Sequence, residues 1–313
     1  MKKIIFAALF LASIVSVNAQ NDFLLTEQLF SRIATNPAGT GNSENVNAFY
    51  LGRLQWSGFT GAPVSNLLNV HFYSPKMSSG FGASFSYDES GIAYSDLNAK
   101  LVYAYHLDID ENNLLSLGLS AGVEDKRFDP TKHILEDDTE RGEEDGIPLE
   151  AEGKTSFDAD FGAEFSNSHL LIGLSARHLP GFFAETSTYN AVPQFYGYAR
   201  GFIPVNTNLS LAPALLGMYI PSLSGDEKEE YVGELNLTSF IYHNYWAGLG
   251  CRFNTIEFSN STATALVGFQ WDWFRLGCAY ELSLGELINL SSSSFELMLS
   301  LDIPTKKKGN FWE

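Results

Sequence analysis

From Asn47 to Ile303 the chain alternates apolar and polar residues in short segments. Leu115, Leu117, Leu119 and Ala121 interleave with Ser116, Gly118 and Ser120, and Phe157, Ala159, Phe161, Ala163 and Phe165 interleave with Asp158, Asp160, Gly162 and Glu164. Phe295, Leu297, Leu299, Leu301 and Ile303 repeat the rhythm near the end, with Met298 the one exception. Successive side chains of a strand point to opposite faces, so each segment has one apolar and one polar face. Behind an export signal, and with no apolar run in the mature chain long enough for a spanning helix, this period predicts an all-β fold. It is a transmembrane outer-membrane β-barrel, with lipid outside and water or a plug inside.

The runs predict about fourteen antiparallel strands, at 46–56, 65–74, 80–88, 95–108, 113–123, 155–166, 169–178, 193–203, 207–219, 231–241, 244–254, 262–271, 273–284 and 294–303. Their connections sort by length. Those at Pro75 to Ser79, Ile109 to Asn112, Asn167 to Ser168, Val205 to Asn206, His243 and Asp272 are short, and the intervening ones are mostly longer. Barrels of this kind have short periplasmic turns and longer extracellular loops, which puts both termini in the periplasm.

Met1, Lys2 and Lys3 precede an apolar stretch from Ile4 to Val17, and Val17-Asn18-Ala19 reads as a signal-peptidase site. The organisation is therefore a signal peptide at 1–19, an N-terminal periplasmic or plug segment at 20–45, a barrel at 46–303 and a periplasmic tail at 304–313. Within 20–45, the helix-like spacing of Leu25, Leu29 and Ile33 predicts an ordered segment rather than a loose leader. The location implied is the outer membrane, multi-pass, after cleavage.

Charge adds detail. The formal net charge of −18 speaks against nucleic-acid binding through a general basic surface. Much of it lies in one stretch, Glu124 to Gly153, which includes Asp125, Asp129, Glu136, Asp137, Asp138, Glu140, Glu143, Glu144 and Asp145. Without the ordered spacing of a calcium loop, this reads as a solvated surface loop in preference to a Ca²⁺ site. By parity Arg53, Lys100, Asp158, Asp160, Glu164, Arg177, Arg200, Glu234, Arg252, Arg275, Glu281, Glu296 and Asp302 face inward. Charges of both signs there form ion pairs filling the lumen or line a selective channel. Cys251 and Cys278 fall on outward positions of strands that are not neighbours, so both are expected as free thiols. No nucleophile elbow, zinc-protease motif or P-loop occurs, and no cofactor or metal motif either. His71 and His106 read as hydrogen-bonding groups of the lumen rather than bases.

Glu27-Gln28-Leu29-Phe30-Ser31 followed by Asn36-Pro37-Ala38-Gly39 resembles the opening of the PorP/SprF family of Bacteroidota, where "Q-Y-M-F-N" leads into "N-P-A-Y-A-G". Arg53-Leu54-Gln55-Trp56-Ser57-Gly58, Gly61-Ala62-Pro63 and His71 are similar to its "R-x-Q-W-x-G…G-A-P…H". Gly80-Phe81-Gly82, Gly173-Leu174-Ser175, Tyr245-Trp246-Ala247-Gly248, Tyr280-Glu281 and Phe295-Glu296 keep the family's order. The chain departs from the pattern in lacking the motif tyrosine after Ala38 and in its long acidic loop and C-terminal tail. The resemblance implies an outer-membrane component of the type IX secretion and gliding system. Its partners would be a secreted surface protein with a C-terminal sorting domain and periplasmic accessory proteins, besides membrane lipid.

Two readings stand: an anchor for a secreted adhesin, and a diffusion or substrate-specific channel. An outer-membrane enzyme is a distant third for want of a motif. For the anchor, the partner-binding residues expected are Trp56, Phe59, Pro63, Phe182, Phe183 and Tyr219 on the outer loops, with Leu29 and Phe30 as a periplasmic alternative. Trp56 serves an interfacial girdle equally well, whereas adjacent Phe182 and Phe183 cannot easily both do so.

Overall fold

The structure is a computed structural model that describes residues 25–26, 30–43, 45–57, 61–91, 93–129, 151–184, 189, 191–223, 229–254, 261–284 and 293–304. The signal region, Leu29, Phe59, most of the acidic stretch and the residues after Pro304 lie outside that set.

The strands are β1 (Val46–Leu54), β2 (Val64–Ser74), β3 (Ser79–Ser90), β4 (Tyr94–Asp108), β5 (Leu114–Phe128), β6 (Glu152–Ser166), β7 (Leu170–Arg177), β8 (Gln194–Gly201), β9 (Ile203–Asn206), β10 (Leu209–Ile220), β11 (Glu230–Ile241), β12 (Tyr245–Asn254), β13 (Thr262–Trp271), β14 (Phe274–Ser283) and β15 (Ser293–Ile303). Neighbours in sequence pair antiparallel, β1 pairs with β15, and the β10–β11 pairing completes the ring. β8 and β9 are halves of one stave, so the fifteen segments make the fourteen staves expected.

The break in that stave has a local cause. Arg200 stands opposite Ala214 and Ile203 opposite Leu211, the same register on either side of the gap. Pro213, on the partner strand at the gap, has no N–H to give to the ladder. Beyond it, a register shift at Leu209 and Ser210 carries the stave to Asn206. The turn therefore falls at Thr207 and Asn208, not at Val205 and Asn206 as the sequence suggested.

β5 and β6 also extend past their predicted ends, to Phe128 and from Glu152. There both faces of the hairpin are polar, with Lys126 inside and Asp125 and Arg127 outside, so hydropathy alternation stops while backbone pairing continues. Glu124, assigned from sequence to the acidic loop, is instead a luminal strand residue with 1% of its surface exposed.

Parity holds around the ring. Outward Leu101, Phe157, Phe161, Leu174, Leu249 and Val267 form the apolar band, while Asp158, Asp160, Glu164, Glu234, Glu281 and Glu296 are buried inside. Aromatic rings mark both rims. Phe72, Phe81 and Tyr103 stack at the short-turn end, and Phe182, Phe195, Tyr219 and Tyr231 form a ladder at the long-loop end. These are the girdles of a lipid-embedded barrel. Cys251 on β12 and Cys278 on β14 are free thiols with β13 between them.

Candidate functional site

The lumen is occupied by the chain's own N-terminal segment. From Val46 at the short-turn rim it leads back up the interior, and Thr26 sits against residues near the long-loop ends of β1, β14 and β15. Two 3-10 turns, Arg32–Ala34 and Pro37–Gly39, give it shape. No α-helix forms among its described residues, despite the spacing of Leu25 and Ile33.

The family-like Asn36-Pro37-Ala38-Gly39 run is the tightest part of this seat. Asn36 Oδ1 accepts from the Ala38 N–H (2.9 Å) and caps the second turn, with Pro37 at its first position. Its Nδ2 donates to the carbonyls of Ala163 on β6 and Leu174 on β7 (3.1 and 3.2 Å). Such close approach of chain to wall requires inward glycines. A Cβ on Gly118 would strike the Ala38 backbone, and one on Gly162 would strike the Asn36 carboxamide.

Below this, His106 bonds Thr40 O through Nε2 (2.9 Å) and Ser116 Oγ through Nδ1 (2.7 Å), and the Gly41 N–H donates to His71 Nδ1 (3.1 Å). Both histidines are thus luminal hydrogen-bonding groups, as their positions in sequence suggested. The Ser175 hydroxyl donates to Thr35 O (2.7 Å), Asn69 Nδ2 donates to Ser31 Oγ (2.7 Å), and Arg32 pairs with Glu164 at 3.2 Å.

Higher up, Arg53 pairs with both Glu281 and Glu296, and Arg252 joins Glu234 (2.9 Å) to Glu281 (3.1 Å). Thr26 closes this network. Its N–H donates to both oxygens of Glu296 (3.0 Å each) and its hydroxyl to Glu281 Oε1 (2.7 Å). Across the lumen, Lys100 reaches Asp158 (2.6 Å) and Asp160 (2.8 Å). Most inward charges of the sequence reading therefore meet as ion pairs, the arrangement that makes buried charge tolerable, while Arg200 lies over the Phe240 ring, 5.6 Å from its centroid.

One feature of the lumen was missed from sequence. Phe49, Leu51, Leu67, Trp246, Leu266 and Met298 point inward and form an apolar seat on which Leu25 and Phe30 pack. The Phe30 ring lies 4.8 Å from that of Trp246 and 6.4 Å from that of Phe240. The signal was present as interrupted alternation: Phe49-Tyr50-Leu51, Leu67-Leu68 and Leu297-Met298-Leu299 are continuous apolar runs, which mark strands apolar on both faces.

The expected surface anchors are distributed as follows. Trp56 and Pro63 are half-buried at the base of the first long loop, where the Trp56 N–H donates to Ser294 Oγ (3.1 Å). Phe182 leans on Phe195 (6.0 Å) and Tyr219 lies further along the same ladder. Phe183, its neighbour in the 3-10 turn Leu179–Phe183, is 92% exposed. Phe30 lies inside the barrel and not on its periplasmic rim.

A closed antiparallel ring with a lipid-facing apolar band, two aromatic girdles and a segment of its own chain in the lumen defines an internally plugged outer-membrane β-barrel. The family profile described as type IX secretion system membrane protein PorP/SprF matches residues 17–301. The chain belongs to this family. No curated protein matches it in sequence. Among solved structures it is similar to the CymD monoaromatic hydrocarbon channel, with 10% identity over 91% of this chain and 95% of that one and a TM-score of 0.55. It is also similar to the Pseudomonas putida toluene transporter TodX, with 11% identity over 88% and 94% and a TM-score of 0.53. At such identities the likeness concerns the fold alone.

Proposed function

We propose that this outer-membrane component of the type IX secretion system binds and anchors a secreted surface protein, an adhesin, through that protein's C-terminal sorting domain. The partner is held at the long-loop rim, which faces the cell exterior, while the short-turn rim meets periplasmic accessory proteins. The observation carrying this reading is the pairing of a lumen filled from within with a protruding aromatic on a braced turn. Phe183 projects from a 3-10 turn whose other phenylalanine rests on the barrel wall. A rigidly mounted aromatic supplies buried area to a partner at small entropic cost. Trp56, Phe59, Pro63 and Tyr219 complete the proposed patch. Export follows cleavage after Ala19, leaving Gln20 as the mature N-terminus, which N-terminal sequencing checks.

Replacing Phe182 and Phe183 together by Ser is expected to reduce retention of the secreted protein at the cell surface while barrel abundance stays normal. Unchanged retention removes this loop from the interface. The channel reading requires the segment around Asn36 to leave the lumen. Conductance of the intact protein in a planar bilayer would favour it.

A further inference from the structure

A second constellation sits in the opposite wall, beneath the turn that carries Phe182 and Phe183. His178, directly after β7, adopts a left-handed conformation (φ 54°), and its backbone N–H donates to Asp160 Oδ1 (3.0 Å). This bend directs the imidazole into the barrel, where it is 1% exposed. Its Nδ1 lies 2.8 Å from Asp158 Oδ2 and 3.9 Å from Glu124 Oε1. One ligand-type atom from each of Glu124, Asp158 and His178 lies within 4.8 Å of the other two, and both carboxylates are also 1% exposed.

A further observation bears on what these groups hold. Asp158 Oδ2 receives Lys100 and Asn98, but its Oδ1 is buried with no hydrogen-bond donor among the described residues. A buried carboxylate oxygen without a donor is costly and calls for a cation or water. Lys100 is shared, lying 2.8 Å from each oxygen of Asp160 as well as 2.6 Å from Asp158.

We propose that Glu124, Asp158 and His178 form a binding site for a divalent transition-metal ion of the zinc type. One imidazole nitrogen and two carboxylate oxygens are a donor set that Zn²⁺ accepts, with water as a fourth ligand. The ligands come from β5, β6 and the end of β7, so no motif spacing announces them in the sequence. A metal there would tie the 3-10 turn Leu179–Phe183 to the barrel wall, independently of what the turn binds.

The test uses the full-length mature protein in detergent, stripped with a chelator and re-equilibrated with Zn²⁺. Metal analysis is expected to find one zinc per chain, held about tenfold or more weakly after His178→Ala or Asp158→Asn. Zinc retained by His243→Ala, at an exposed histidine of a short turn, completes the expected pattern. Binding left unchanged by His178→Ala would mean adventitious surface carboxylates and overturns the proposal, as does a zinc-free protein. If the variants do not fold, Co²⁺ bound to the unaltered protein decides. Tetrahedral visible absorption bands with imidazole coordination support the site, and a spectrum of aqueous or all-oxygen Co²⁺ overturns it.

Discussion

On the side of the lumen built by β12 to β15, β1 and β2, inward positions carry Phe49, Leu51, Leu67, Trp246, Leu266 and Met298. On the side built by β4 to β7, the inward positions carry Asn98, Lys100, Ser120, Glu124, Asp158, Asp160 and Glu164. The first side receives the apolar side chains of the N-terminal segment, Leu25 and Phe30, and the second meets the segment through Arg32 and Asn36. A polar interior is therefore not a property of the barrel as such. Each inward position suits whatever covers it, and where the chain supplies its own apolar cover the wall becomes apolar too. Even the apolar side keeps a charged cap near the long-loop rim, where Arg53, Glu281 and Glu296 meet Thr26.

Four sets of substitutions would break or sharpen this contrast, their stability costs read by equilibrium unfolding of the barrel in lipid vesicles. The largest effect is expected for Arg53→Met. It leaves two buried carboxylates without their shared cation and should cost about 3–5 kcal/mol. A loss near zero would mean the charged cap is dispensable to the plug and wall alike.

Met298→Ala comes next. It opens a cavity between wall and plug and should cost about 2–5 kcal/mol. Leu297→Ala, one residue away on the lipid face, should cost clearly less because lipid fills the gap. Comparable losses would show that the apolar seat is not packed.

Phe161→Arg near the midplane should cost about 2–4 kcal/mol by exposing charge to lipid. Gly162→Arg should act instead by displacing Asn36 from the wall, and it should open the lumen to ion current. Equal tolerance at the two positions would contradict the assignment of faces. Smallest is Asn36→Ala, which removes the turn's cap and two hydrogen bonds to wall carbonyls and should cost about 1–3 kcal/mol. Its signature is faster hydrogen exchange in residues 30–43 while the barrel strands stay protected. Unchanged exchange would mean that the turn holds without its cap.

Alternation of the kind seen from Leu115 to Ala121 and from Phe157 to Phe165, counted along the whole chain, was enough to assign strands, faces and a count of about fourteen staves. Each of these depends on a period of two read within a few residues. The same parity placed Arg53, Lys100, Glu281 and Glu296 inside, and loop lengths separated the two rims. Where both faces share one character the local signal fails. The polar ends of β5 and β6 were read as loop, and the apolar runs around Leu51 and Met298 were not read as a packed seat, although they interrupt the alternation.

Which charges meet was a matter for tertiary structure. Arg53 joins Glu296 because the first and last strands pair as the ring closes, and the same closure brings Thr26 to their carboxylates. Glu124, Asp158 and His178, separated along the chain, converge only through the β5–β6 register and the left-handed bend after β7. The seat of Asn36 likewise needs Gly118 and Gly162 side by side on paired strands. A strand's faces are written in its own residues, whereas the partner of an inward side chain is set by register and closure, which no local stretch of sequence contains.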